Sequence, residues 1–155
     1  EDIRQNVDRY NSKKAIFYKN NKLNSWEGIS WTKFGNDIEK VSKALLKTGI
    51  SVQQNVAIFA ENMPEWMIAD FAIMSIRAVS VPIYATNSKN EVEYIINDSE
   101  ISVIFVGCQQ EYDKALEILE SNNYLKLILT DPPLTSFTTL SNRKNSFFQQ
   151  YYSNS

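Results

Sequence analysis

The chain has 155 residues, with 16 Lys and Arg against 18 Asp and Glu, no His, one Cys and four Gly. The missing His excludes Ser-His and Cys-His dyads and His-ligated metal sites, and the lone Cys108 excludes an internal disulfide or a CxxC site. A net charge of −2 offers no field for gathering nucleic acid, while 43% hydrophobic and 12% aromatic residues are the composition of a folded domain.

Glu1 and Asp2 open the sequence with no apolar run behind Arg4, so a signal peptide is not expected and a cytoplasmic setting is. Residues 15–18 (Ala-Ile-Phe-Tyr) and Ile29-Ser30-Trp31 flank a polar stretch, a pattern that predicts a β-hairpin. Thr32 stands where an N-cap belongs, ahead of Phe34, Ile38, Val41 and Leu45 at helical spacing. Gly49 is placed to stop that helix, predicted over 33–48.

An apolar strand–turn–helix grammar then repeats. Val56 to Ala60 reads as a strand buried on both faces. Asn62-Met63-Pro64-Glu65 reads as cap, first-turn proline and dipole-favoured acid, with Trp66, Ala69, Ile73 and Ile76 on one face of the helix that follows. Val79 to Tyr84 is a strand whose Pro82 suggests an edge, a bulge or an end. The greasy run from Trp66 to Tyr84 approaches membrane-span length, yet Asp70, Arg77 and Pro82 argue for a buried helix and strand instead.

Ser88-Lys89-Asn90-Glu91 has capping-box spacing. A helix through Val92 to Ile96, a strand over 101–106, a helix over 111–120 and a strand over 125–129 complete the pattern. The fold class is α/β: a mostly parallel sheet of four to five strands with helices on both faces, plus the N-terminal β-hairpin. After Asp131 the composition turns to Ser, Thr and Asn, so residues 1–131 read as one subdomain and 132–155 as a flexible or non-native tail. Phe147, Phe148, Tyr151 and Tyr152 are unexplained in such a tail.

Phosphate chemistry is poorly supported by these residues. Gly28, Gly35, Gly49 and Gly107 are far apart, and neither GxGxxG nor GxxxxGK[ST] occurs. Glu61 and Asp131 are too few for a phospho-receiver cluster. Thr135 to Leu140 with Lys144 has the hydroxyls and lysine of a phosphate loop, but Phe137 and Leu140 stand where glycine would be needed. No catalytic and no metal-ligating residue is assigned. Asn62, Tyr84 and Thr86 are chosen as substrate-pocket neighbours, because open α/β sheets bind ligands beyond the carboxyl ends of their strands. Their competing roles are ordinary ones, a helix cap for Asn62 and a polar turn for Tyr84 to Ser88. Trp66 is expected in the core.

The ordered blocks Ile29-Ser30-Trp31-Thr32-Lys33-Phe34, Ala44-Leu45-Leu46-Lys47-Thr48-Gly49, Asn55-Val56-Ala57-Ile58-Phe59, Asn62-Met63-Pro64-Glu65-Trp66, Ala78 to Thr86 and Glu93 to Ser99, followed by Val103-Ile104-Phe105-Val106, resemble the start of the adenylate-forming (AMP-binding) enzymes. Pro82-Ile83-Tyr84-Ala85-Thr86-Asn87-Ser88 looks most like the long-chain fatty acid–CoA ligases. The likeness covers about residues 15–131. Arg77 departs from it, standing where the family usually has Gly before Ala-Val.

The resemblance implies a parent enzyme that joins a fatty acid to coenzyme A through an acyl-adenylate, using ATP and Mg. The family's phosphate loop, later acidic and aromatic motifs and C-terminal lysine have no match here. The chain is therefore expected to be an inactive N-terminal scaffold with no cofactor of its own, partnered by the remainder of the ligase. Peripheral membrane association of the parent, and self-association of the chain through uncovered apolar surface, are further expectations. Two alternatives stay open: a synthetase for another carboxylic acid, and a non-catalytic α/β binding module.

Overall fold

The computed structural model describes residues 3–20 and 23–130. The segment after Asp131, with its aromatic pairs and degenerate phosphate-loop pattern, lies outside the described residues.

The architecture is the α/β one expected. Helix α1 (Ile3–Tyr10) precedes a hairpin of β1 (Lys14–Asn20) and β2 (Ser25–Ser30), and α2 (Trp31–Lys47) follows. Then come β3 (Asn55–Phe59), α3 (Pro64–Ser75), β4 (Val79–Ile83), α4 (Lys89–Asp98), β5 (Val103–Val106), α5 (Gln109–Ser121) and β6 (Leu127–Thr130). The hairpin strands pair antiparallel, and the four later strands form a parallel sheet in the order β4-β3-β5-β6. Pro82 lies on β4 at the edge of that sheet, which spares the ladder a missing donor.

Strand β3 shows why its sequence lacks alternation. Val56 and Ile58 enter a core cluster with Phe34, Leu45, Ala72 and Ile73 from α2 and α3. Ala57 and Phe59 enter a second one with Val92, Ile96, Tyr112 and Ile118 from α4 and α5. Both faces are buried, so every position is apolar. Among the described residues no helix is long and apolar enough to cross a membrane.

Local details differ from the sequence reading at the element ends. Ser30, not Thr32, caps α2: its Oγ accepts the Lys33 N–H at 3.2 Å. Thr32 lies in the first turn and donates to Asn11 Oδ1 at 2.6 Å. Asn62 is not the cap of α3, since Met63 holds that position without a side-chain bond and Pro64 opens the helix. The missing N–H of a first-turn proline removes part of the need for a cap. Helix α1 has no counterpart in the sequence reading. It has no buried residue and rests on α2 at Gly35, where an added Cβ would come within 2.6 Å of Val7 Cγ2.

Besides α4, which is followed by Glu100 at φ +49, helices α2 and α3 end in the left-handed turn that usually takes glycine. Gly49 does so after α2 with φ +86. Arg77 does so after α3 with φ +62: its N–H reaches Met74 O at 2.9 Å, and the Ala78 N–H reaches Ile73 O at 3.2 Å. This is the Schellman pattern of a helix end. It explains the departure at Arg77 as a matter of backbone conformation rather than tight packing, for the side chain is exposed.

Candidate functional site

The order β4-β3-β5-β6 contains a change of direction. From β3 the chain moves outward to β4 over α3, and from β5 it moves the other way to β6 over α5. These helices belong to opposite faces, since Ile68 and Ile73 of α3 pack in one cluster and Ala115 and Ile118 of α5 in the other. The turns leaving β3 and β5 therefore lead to opposite faces from neighbouring points on the carboxyl edge. Sheets of this kind open a crevice at such a switch point.

That crevice is present. A small apolar pit of about 40 Å³ lies against Ile58, Ala60, Met63, Trp66, Phe105 and Gly107. An open groove of about 920 Å³ shares Met63, Glu65, Trp66 and Gly107 with it and extends to Ile16, Phe17, Tyr18 and Lys19 of the hairpin. Trp66 is thus only half buried, covering the first core cluster with one part and lining the crevice with another.

Glu111 gives the crevice its rigid side. It is 3% exposed, and its Oε2 accepts the N–H groups of Gly107 and Cys108, both at 2.8 Å. A carboxylate so placed neutralises two orphan donors at the start of α5. Gly107 is needed for close approach: a Cβ there would meet Ala60 Cβ at 2.8 Å and Met63 Sδ at 2.9 Å. The β5–α5 turn consequently lies directly on the β3–α3 turn.

Of the residues chosen from sequence, Asn62 lines the groove and is exposed. Tyr84 and Thr86 stand beyond the end of β4, exposed, and are not part of that lining. The Tyr84 carbonyl accepts the Asn87 N–H at 2.9 Å, so this segment is the polar turn feeding α4. Ser88 and Glu91 form the expected capping box. Sequence reasoning missed Glu111. Its signal was an acid three residues after the residue that precedes the helix, but that residue is Cys108, not one of the usual capping types.

The lining also decides what the crevice can hold. Lys19 is its basic residue, against Glu61, Glu65 and Glu111. Glu111 already accepts two backbone N–H groups. This donor set does not fit a triphosphate, and no phosphoryl step can be derived from it. Among the described residues there is also no cluster of metal-ligating side chains.

Comparison with known proteins identifies the setting. The AMP-binding enzyme family matches residues 3–151. This chain belongs to that family. Among curated relatives of the AMP-binding chain, the long-chain-fatty-acid–CoA ligase ACSBG1 of Rattus norvegicus is 31% identical over 129 residues, 82% of this chain and 18% of the relative. The ligase FadD15 of Mycobacterium bovis is 32% identical over 104 residues, 67% of this chain and 17% of the relative. The chain thus spans less than a fifth of the length of either relative. Two solved structures share its fold, both with a TM-score of 0.73 over 83% of the chain. They are an anthranilate CoA ligase, AuaEII, with anthranoyl-AMP (22% identity, 23% of that chain) and the long-chain-fatty-acid–CoA ligase FadD1 of Archaeoglobus fulgidus (20% identity, 26% of that chain).

Proposed function

We propose that the chain supplies the N-terminal scaffold of an ATP-dependent ligase that joins a long-chain fatty acid to coenzyme A. The observation that carries this is the pair of long-chain ligases at 31% and 32% identity, each more than five times as long as the stretch they share with this chain. In the parent reaction the fatty acid carboxylate attacks the α-phosphate of Mg-ATP and releases pyrophosphate, and the coenzyme A thiol then displaces AMP. ATP, Mg and coenzyme A are held by other parts of the parent, consistent with an acid-lined crevice here.

The role of residues 1–131 is to present the carboxyl edge of the sheet. Asn62 contributes to its groove, and Tyr84 and Thr86 extend the same edge beyond β4. Residues 132–155 lie beyond the subdomain boundary in this reading. The parent works in the cytoplasm, with peripheral attachment to membranes. The isolated chain self-associates through surface the parent would cover.

Pyrophosphate release with ATP, coenzyme A and palmitate tests the reading on this chain and on the full product of its gene. The expected result is a silent chain and an active full product. Turnover by the chain alone overturns the scaffold role, and a full product that prefers anthranilate or a medium-chain acid over palmitate overturns the substrate.

A further inference from the structure

Helix α5 grips more than the turn at its own start. There Glu111 holds the segment that leaves β5, through the Gly107 and Cys108 N–H groups. Three residues on, Lys114 reaches a different strand end: its Nζ donates to Asn87 O at 2.9 Å, in the segment that leaves β4. Residues three apart on a helix are surface neighbours, so both grips come from one patch of α5. The same ammonium stands over Phe59, 5.7 Å from the centroid of the ring that ends β3.

This is not the ordinary use of a lysine. A surface lysine is solvated or pairs with a carboxylate, as Lys89 of the neighbouring helix does with Glu117 at 3.0 Å. Lys114 is half-buried and gives its charge to a main-chain carbonyl 27 residues away. A charged donor makes a stronger bond than a neutral one, and an aromatic face beside it adds attraction. The segment it holds has need of an anchor. Tyr84 is 81% exposed and Thr86 is exposed, so neither side chain ties the segment to the core. The bonds within it are local: the Asn87 N–H to Tyr84 O at 2.9 Å, and the box of Ser88 and Glu91.

We propose that Lys114 is a positioning residue for the acid substrate: it fixes the turn after β4 relative to those after β3 and β5, and so holds the Tyr84 and Thr86 hydroxyls in place at the carboxyl edge. The sheet order puts β3 between β4 and β5. Helix α5 therefore bonds to both outer ends of this trio and carries an ammonium against the middle one. The crevice is lined from the middle end and the β5 end, and Lys114 adds the β4 end to the same rigid frame. In this assignment Lys114 touches no substrate and acts through the turn. The inference rests on the reading above, in which Tyr84 and Thr86 extend the substrate edge.

Lys114→Met keeps most of the side chain and removes the donor, while Lys114→Arg restores one. In the 155-residue chain, amide hydrogen exchange at Asn87 should quicken about 10-fold in Lys114→Met and recover in Lys114→Arg, with a cooperative melt showing that both fold. In the full product of the gene, pyrophosphate release should show the KM for palmitate raised about 10-fold by Lys114→Met, with kcat and the KM for ATP unchanged and Lys114→Arg close to wild type. Lys89→Met, which breaks the surface pair between α4 and α5, should leave all three constants unchanged. Unchanged exchange in Lys114→Met overturns the hold on the turn. Quickened exchange with an unchanged KM for palmitate, an equal rise in the KM for ATP, or an equal effect of Lys89→Met overturns the positioning role. A wild-type product that turns over another acid instead overturns only the substrate of the ligase reading, and the KM for that acid is then read in place of palmitate's. A wild-type product silent toward palmitate, anthranilate and medium-chain acids overturns both.

Discussion

The two faces of the parallel sheet are finished to different degrees. On the α4 and α5 side both helices begin with a glutamate that reaches back to backbone N–H groups, Glu91 to Ser88 and Glu111 to Gly107 and Cys108. Phe59, Val92, Ile96, Ile104 and Ile118 all lie at 0% exposure there. On the α2 and α3 side, α3 begins without a side-chain cap, Trp66 is half exposed, and a pit opens against Ile58 and Phe105. The first side is closed by its own residues. The second is where, among the described residues, the crevice opens.

The largest test of the contrast is a pair of truncations. Phe59→Ala removes a ring from the closed side and should cost about 3–5 kcal/mol of stability. Trp66→Ala, beside the existing pit, should cost only about 2 kcal/mol, because part of the ring already faces solvent. Denaturant melts of the two variants decide it, and equal losses would erase the distinction between the faces.

A smaller effect comes from the helix ends. Arg77 after α3 and Glu100 after α4 both sit at positive φ, +62 and +49. A side chain there costs about 1–2 kcal/mol, partly offset by the extra freedom glycine gives the unfolded chain. Arg77→Gly and Glu100→Gly should each stabilise the fold by about 0.5–1 kcal/mol in the same melts. A loss at either position would mean that its side chain makes a contact outweighing the strain.

The smallest effect is electrostatic and confined to α4. Glu91 has its pKa lowered, chiefly because its carboxylate accepts the Ser88 backbone N–H, and next because it accepts the Ser88 hydroxyl. A lowered native pKa means the cap's contribution is complete above the ordinary carboxylate range and fades as pH falls through the lowered value. Carboxyl chemical shifts followed through acid pH should place Glu91 below its value in Ser88→Ala. Coincident titrations would show that the Ser88 hydroxyl adds nothing to what its backbone N–H does for the charge.

Much of this was readable from the chain because burial leaves its mark on residue choice. Strand β3 is apolar at every position from Val56 to Phe59 since both neighbours of the sheet are helices, and Ser88 with Glu91 announces a helix start by chemistry alone. Helix α1 was hard to read, because its apolar stripe is only Ile3, Val7 and Tyr10, and none of these is fully buried. The candidate site was half readable. Asn62 could be placed at a strand end, but the crevice depends on the strand order, which sets β3 beside β5 and not between consecutive neighbours. No local spacing encodes that. Glu111 was hidden for a similar reason, since its partners are backbone groups that only the turn brings within reach.

Gly35 carries information of another kind. Val7 occupies the space its side chain would need, so α1 keeps its seat through the absence of one carbon atom. Across a set of homologous sequences, residue 35 then becomes a marker for the segment ahead of the hairpin. Wherever a larger residue appears there, that segment has to be shorter, lie elsewhere or be replaced, and the two should vary together.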